Sequence, residues 1–243
     1  MKMKKILNIL LLLSSINLYA DGLLFQKANK LYAEEKYSEA ILIYDSILAK
    51  SIESYEIYYN LGNCYYKQEN WPYAIWNYEK SLKIKKNKKT IQNLHLVNLK
   101  IIDKIEPLPD LFYKKWWKNT ENLISISLWQ TLTLISIWLF ATLKILEKSN
   151  IIQKRKINIL LTISIICASF TYSSYTNSIL KKEGIIFSST VSINSAPSEK
   201  SNSLFLLHSG TKIEIIDQIK NWTEIKIKNG NTGWIEKKHF KEL

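Results

Sequence analysis

The sequence is poor in the residues that build catalytic and metal centres. Of 243 residues, two are cysteine (Cys64, Cys167) and three are histidine (His95, His208, His239). Two distant cysteines make neither a disulfide framework nor a metal site, and the histidines have no ligand spacing. Cys167 lies inside an apolar run, which sets it apart from Cys64 as a pairing partner. The six glycines include no phosphate-cradling loop. No serine elbow or fitting pair of carboxylates appears, and Cys64 reads as a small packed hydrophobe among tyrosines. The expectation is a non-enzyme without cofactor. Acids are also scarce, 21 against 34 Lys plus Arg, for a net charge of +13. The lysines are spread along the chain, with no Arg-rich helix and no Gly-aromatic motif, so nucleic acid is not the expected partner.

Long apolar runs are what the sequence does have. The N-terminus, MKMKKILNILLLLSSINLYA, joins a lysine-rich start to a short apolar stretch and the small residue Ala20, the pattern of a signal peptide over 1–20. An uncleaved anchor is the other reading of the same residues. No cysteine follows Ala20, so a lipoprotein anchor is not expected. Two further uncharged runs, Leu123–Leu143 and Ile157–Asn177, are each long enough to cross a hydrocarbon core of about 30 Å. They define spans at 122–143 and 157–177. Lys114, Lys115, Trp116, Trp117 and Lys118 precede the first, as suits a membrane interface.

The turn EKSNIIQKRK, within a loop at 144–156, carries Lys148, Lys154, Arg155 and Lys156. By the positive-inside bias it faces the cytoplasm. Lysines also flank the outer ends of the spans, and the signal peptide decides the orientation. Both remaining parts, 21–105 and 184–243, then face outward.

The first of these parts is internally repetitive. An offset of 34 residues places Ala28 on Gly62, Asn29 on Asn63, Tyr37 on Trp71, Ala40 on Ala74, Tyr44 on Tyr78 and Leu48 on Leu82. A third stretch, TIQNLHLVNLKIIDKI, repeats Ile91, Leu94, Val97, Ile101 and Ile105 at helical spacing and is expected to cap the array. Pro107 and Pro109 should stop that helix and stiffen a linker at 106–121. Period and residue types resemble the tetratricopeptide repeat, although Lys86 stands where that family usually has proline. The resemblance implies helix pairs with a concave groove for extended peptides, lined here by Asn29, Tyr59, Asn63, Tyr66 and Lys67. It does not include the two-lysine carboxylate clamp of chaperone-binding repeats.

The C-terminal part changes period. TKIEIID and WTEIKIK alternate apolar and polar residues, and KNGNTGW between strands reads as a hairpin turn. Short strands of this kind in about sixty residues make a small all-β barrel. NSAPS at 194–198, Gly210, Ile213–Ile216, Trp222, NG at 229–230 and GWI at 233–235 resemble the bacterial SH3-like domain. The arginine frequent in that family is replaced by Asn194, and Ala196 stands for a glycine. Trp222 and Trp234 read as barrel packing.

The expected fold is therefore a multidomain membrane protein: an all-α repeat domain, two transmembrane helices and a small all-β SH3-like barrel. The order of parts, with DKIEPLP, the paired Trp116–Trp117 and LFLLHSGTKIEI, resembles the BatE family of Bacteroides aerotolerance proteins over essentially the whole chain. That resemblance implies a scaffold in the bacterial inner membrane with both soluble domains periplasmic. It implies partners among von Willebrand factor A-type Bat membrane proteins, encoded beside a MoxR-type ATPase. The alternative from a different class is a wall anchor whose SH3-like domain recognises peptidoglycan.

Overall fold

The computed structural model describes residues 22–147 and 154–243. The expected signal peptide over 1–20 and the centre of the turn, 148–153, lie outside the described residues. The described chain forms two compact units, residues up to Glu106 together with Glu183–Leu243, and Pro107–Lys182.

The first unit opens with helices α1 (22–33), α2 (Tyr37–Leu48), α3 (Tyr55–Lys67), α4 (Trp71–Ile84) and α5 (Lys88–Asn98). Local chemistry sets their starts. Ser54 Oγ accepts from Ile57 N and Asn87 Oδ1 accepts from Lys89 N and Thr90 N, capping α3 and α5, and Pro72 pre-sets the first turn of α4. The turns α1–α2 and α3–α4 each place a glutamate, Glu35 and Glu69, in the left-handed region.

The small positions of the repeat are where helices meet. Ala28, Ala40 and Ala74 are fully buried, and a Cβ on Gly62 would lie 2.5 Å from the Tyr78 ring. The same hydrogen-bond pattern occurs twice. Asn29 Oδ1 accepts from Tyr44 Oη (2.6 Å) and Asn60 Nδ2 (2.8 Å). Asn63 Oδ1 accepts from Tyr78 Oη and Asn93 Nδ2 (2.8 Å each).

The expected capping helix is shorter than its pattern. It ends at Asn98, and residues 99–105 leave the helix for the barrel. Ile105 packs on the barrel core and Ile101 lies against Gly210. Tertiary packing, and not Pro107, ends α5.

The barrel has strands β1 (Glu183–Ile186), β2 (Thr190–Asn194), β3 (Ser203–His208), β4 (Lys212–Ile219), β5 (Trp222–Lys226), β6 (Thr232–Glu236) and β7 (Phe240–Glu242). They pair antiparallel in the order β3-β2-β6-β5-β4-β1-β7. Alternate residues such as Ile213, Ile215, Ile225 and Ile235 fill the interior, as period two requires. The hairpin turn falls at 227–231, where Gly230 has φ +90°.

Repeat and barrel, expected as separate domains at 21–105 and 184–243, belong to one compact unit. Ile185 joins Ala74, Ile75, Tyr78 and Val97 in a shared apolar core. Tyr73 packs edge-on to Phe187, and Lys241 Nζ lies 3.9 Å over the Trp76 ring, whose Nε1 donates to Glu242 O.

The second unit holds α6 (Phe112–Glu121), α7 (Ile126–Glu147) and α8 (Lys154–Tyr175), followed by a wider π-type turn at Thr176–Leu180. Ten of the sixteen residues of the expected linker are thus helical. The first span starts and ends four residues later than expected, because Ser125 begins a new helix: its oxygens accept from Leu128 N and Trp129 N. Two stretches, Ile126–Leu146 and Ile157–Tyr175, are long and apolar enough to cross a membrane. Little of either is buried within the protein, unlike the core helices of a soluble fold. The pair meets through Thr133 and Thr171 (2.9 Å) and through a stack of Trp117, Phe170 and Trp129. At its end Glu121 is buried, accepting from Ser173 Oγ (2.7 Å) and Asn177 Nδ2.

Candidate binding site

Two surfaces of the first unit offer binding chemistry. One is the face carrying the residues expected to line a groove. Asn29 and Asn63 are half-buried, and their amide oxygens are occupied by the tyrosine and asparagine donors described above. Tyr59 packs on the Tyr78 ring and its hydroxyl accepts from Asn93 (3.3 Å). Tyr66 stands edge-on to Trp71 at 5.5 Å. Only Lys67 is exposed, at the end of α3. The structure therefore gathers Asn63, Tyr59 and Asn93 into one network, which holds helices together. Asn29 belongs to the equivalent network one repeat earlier. The hydroxyl of Tyr78 is held far above the usual tyrosine range by burial, so it stays a neutral donor to Asn63. The surface that a ligand can touch is Lys67 with the outer edges of Tyr66 and Tyr59.

The second surface is a cleft of about 410 Å³ on the barrel, lined by Ser192, Asn194, Glu199, Ser203, Trp222 and Glu236, with His239 at its side. Strand geometry makes it. Trp222 stands opposite Glu236 on the neighbouring strand, and Glu224 opposite Trp234. Both tryptophans are half-buried and neither belongs to the barrel core, which corrects their reading as packing. Period two directs Thr223, Ile225, Gly233 and Ile235 inward, so the indoles face out. The loop 194–201 rims the cleft, held by Asn194 Nδ2 to Ser198 O (3.1 Å) and Ser195 N to Asn202 O (2.9 Å). Asn194, standing where the family often has arginine, thus anchors its own loop. His239 Nδ1 meets Ser188 Oγ at 2.8 Å. Burial, reinforced by Lys238, lowers the pKa of His239 and favours the neutral ring near pH 7. An indole wall, hydroxyls and the Glu199 carboxylate suit a small polar ligand carrying an amine, while Glu236 is paired with Lys238 at 2.8 Å. Outward Trp222 and Glu236 were legible as alternate positions of the two strands; Glu199 and Ser203 carried no comparable signal.

The joint between helices and barrel is polar at its rim. Asp103 accepts from His208 N (2.7 Å) and Thr211 Oγ1 (2.5 Å), and its other oxygen lies 2.8 Å from His208 Nδ1. Burial raises the Asp103 pKa, but these hydrogen bonds outweigh it and hold the carboxyl below its ordinary range. Lys212 bridges Glu79 of α4 and Glu183 of β1, 2.9 Å from each. Burial alone would lower its pKa; the two carboxylates raise it. Among the described residues, none of the hydrogen bonds or ring contacts across this joint uses Asn29, Tyr59, Asn63, Tyr66 or Lys67.

Residues 189–241 match the family model of the bacterial SH3 domain. The C-terminal barrel is therefore a bacterial SH3 domain. No curated protein matches the chain.

Proposed function

We propose that this chain is a non-enzymatic scaffold anchored in the bacterial cytoplasmic membrane, binding partner proteins on its outer side through the helical repeat and the SH3 domain. The observation that carries this reading is the joint itself. The barrel docks on α4 and on residues 101–105, leaving both the Lys67 edge of the helices and the Trp222 cleft outside the joint. Two recognition surfaces held in one body present their ligands at a fixed spacing, and two spans keep that body at one membrane patch. Local concentration at the patch then raises apparent affinity without new contacts. By its resemblance to the BatE family, the partners are von Willebrand factor A-type Bat membrane proteins.

Affinity purification from crosslinked intact membranes tests this, with wild type beside Lys67→Glu and Trp222→Ala. Both side chains reach solvent, so neither change removes a core contact. Bat-type partners lost in one variant and kept in the other identify the surface that holds them. Recovery of no membrane protein from any form sinks the scaffold reading.

A second reading is favoured by the cleft chemistry. Glu199 beside an indole and several hydroxyls matches an amine-bearing wall peptide, which makes the chain a wall anchor. Retention of the detergent-solubilised full chain on purified wall, lost in Trp222→Ala, would support it.

A further inference from the structure

Helix α5 ends the helical array, and the outer face of a terminal helix is normally polar, because nothing stacks on it. Here large aliphatic residues stand among the polar ones. Ile91, Leu96 and Leu99 are 52%, 48% and 58% exposed, and Ile102, just beyond the helix, is 68% exposed. At 3.6 residues per turn, Ile91, Leu99 and Leu96 share an arc of about 140° with exposed Gln92 and His95. Lys88 lies on that arc one turn before Ile91, and Lys89 and Lys100 border it; all three are exposed. The opposite side of the helix, with Thr90 and Val97, is buried against the array.

Charge is one-sided around this face. Of the eight lysines in residues 80–104, Lys88, Lys89 and Lys100 flank it, while Lys80, Lys83 and Lys85 turn to the Trp76 ring, Leu243 O and the Tyr55 ring; the stretch holds one acid, Asp103. That acid is taken by His208 and Thr211 of the barrel. A face of aliphatic side chains and lysines, on a helix that carries no acid, is complementary to a surface that is apolar beneath and anionic on top. Aliphatic side chains enter the acyl boundary while lysines meet phosphates.

We infer that the outer face of α5, with Ile102, rests on an anionic phospholipid surface and docks the repeat–barrel unit to the bilayer. The inference rests on the reading that the chain is membrane-anchored. A partner's acidic amphipathic helix has the same complementarity, but the tether favours lipid. From Leu99 the chain reaches Phe112, the first residue of the Trp- and Lys-rich α6, in thirteen residues, at most about 45 Å of chain. A surface permanently within that reach competes at high effective concentration with any soluble occupant.

The test is hydrogen exchange of the α5 amides in the full chain. It is reconstituted in nanodiscs of phosphatidylcholine alone, or with about 30 mol% phosphatidylglycerol to supply anionic charge. Exchange of α5 should be slower in the anionic discs, and high salt should abolish the difference. The variant Lys88→Glu/Lys89→Glu should lose the slowing by about fivefold for each lysine removed. Glutamate is favourable in a first helical turn, so this variant keeps its helix, and unchanged exchange in the barrel strands verifies the fold. Equal α5 exchange in both discs overturns the inference while leaving the anchoring intact. Slowing that appears in native membrane vesicles but in neither disc assigns the face to a protein partner and also overturns it. A chain that incorporates into neither disc overturns docking and anchoring together.

Discussion

Asp103 and His208 are 105 residues apart in the chain and 2.8 Å apart in space, one on the segment leaving the last repeat helix and the other at the end of β3. With Thr211 they clasp the helical array to the barrel. Replacing Asp103 by Ala should destabilise the unit by about 2–3 kcal/mol, since three donors lose a charged acceptor. Asp103→Asn should cost less. Because the folded pKa of Asp103 is depressed, its contribution is full above the unfolded value of about 4 and is lost as pH falls through the folded one. Thermal melts of wild type and Asp103→Asn should therefore converge as pH is lowered below about 4. A gap that stays constant would place the stabilisation elsewhere.

Lys212 neutralises two carboxylates at the same joint. In Lys212→Met, Glu79 and Glu183 lose the cation between them, and the unit should lose about 2 kcal/mol, less than for a fully buried pair because Lys212 keeps some solvent. The pKa of Lys212 is raised in the fold, so its contribution is present below about 10.4 and disappears as pH climbs through the folded value. Denaturant melts of the triple change Lys212→Met, Glu79→Gln, Glu183→Gln should recover most of the loss.

Gly62 stands at a tight helix crossing in the array. An added Cβ would stand 2.5 Å from two ring carbons of Tyr78, which is itself fully enclosed. Gly62→Ala should cost about 1–3 kcal/mol despite the better helix propensity of alanine. Stability equal to wild type would mean the Tyr78 ring has room to move.

Asn63 should behave as a structural residue. Asn63→Ala removes the acceptor of the Tyr78 hydroxyl and of Asn93, leaving a buried hydroxyl unsatisfied for about 1–3 kcal/mol. Asn29→Ala should mimic it one repeat earlier, through Tyr44 and Asn60. Lys67→Glu should leave the unfolding free energy within about 0.5 kcal/mol of wild type while altering any partner binding at that face. Comparing the three by urea titration and by pull-down separates scaffold from contact residues.

The sequence by itself determined the elements whose signal is local. The 34-residue offset brought Gly62 and Ala74 to the helix crossings and matched Asn29 with Asn63. Alternation at 212–217 and 222–226 marked strands of the bacterial SH3 domain, and two uncharged runs marked the apolar helices. These depend on residue type and period, which a linear reading contains. Long-range partners do not. Nothing in the period of Leu94, Val97, Ile101 and Ile105 tells that the helix stops at Asn98, because the cause is a barrel strand more than a hundred residues away.

Nor could spacing separate a tyrosine or asparagine that reads a ligand from one that ties two helices, since both need polar groups on the same helix face. Trp222 was misjudged for a related reason: an indole satisfies a core or a cleft equally well, and its apolar character outweighed the alternation with inward Ile225 and Ile227 that places it on the outer face. Composition and period decided which elements form. The joining of repeat and barrel into one body was decided by tertiary structure, because Asp103, Lys212 and Ile185 acquire their roles only when distant segments bury them together.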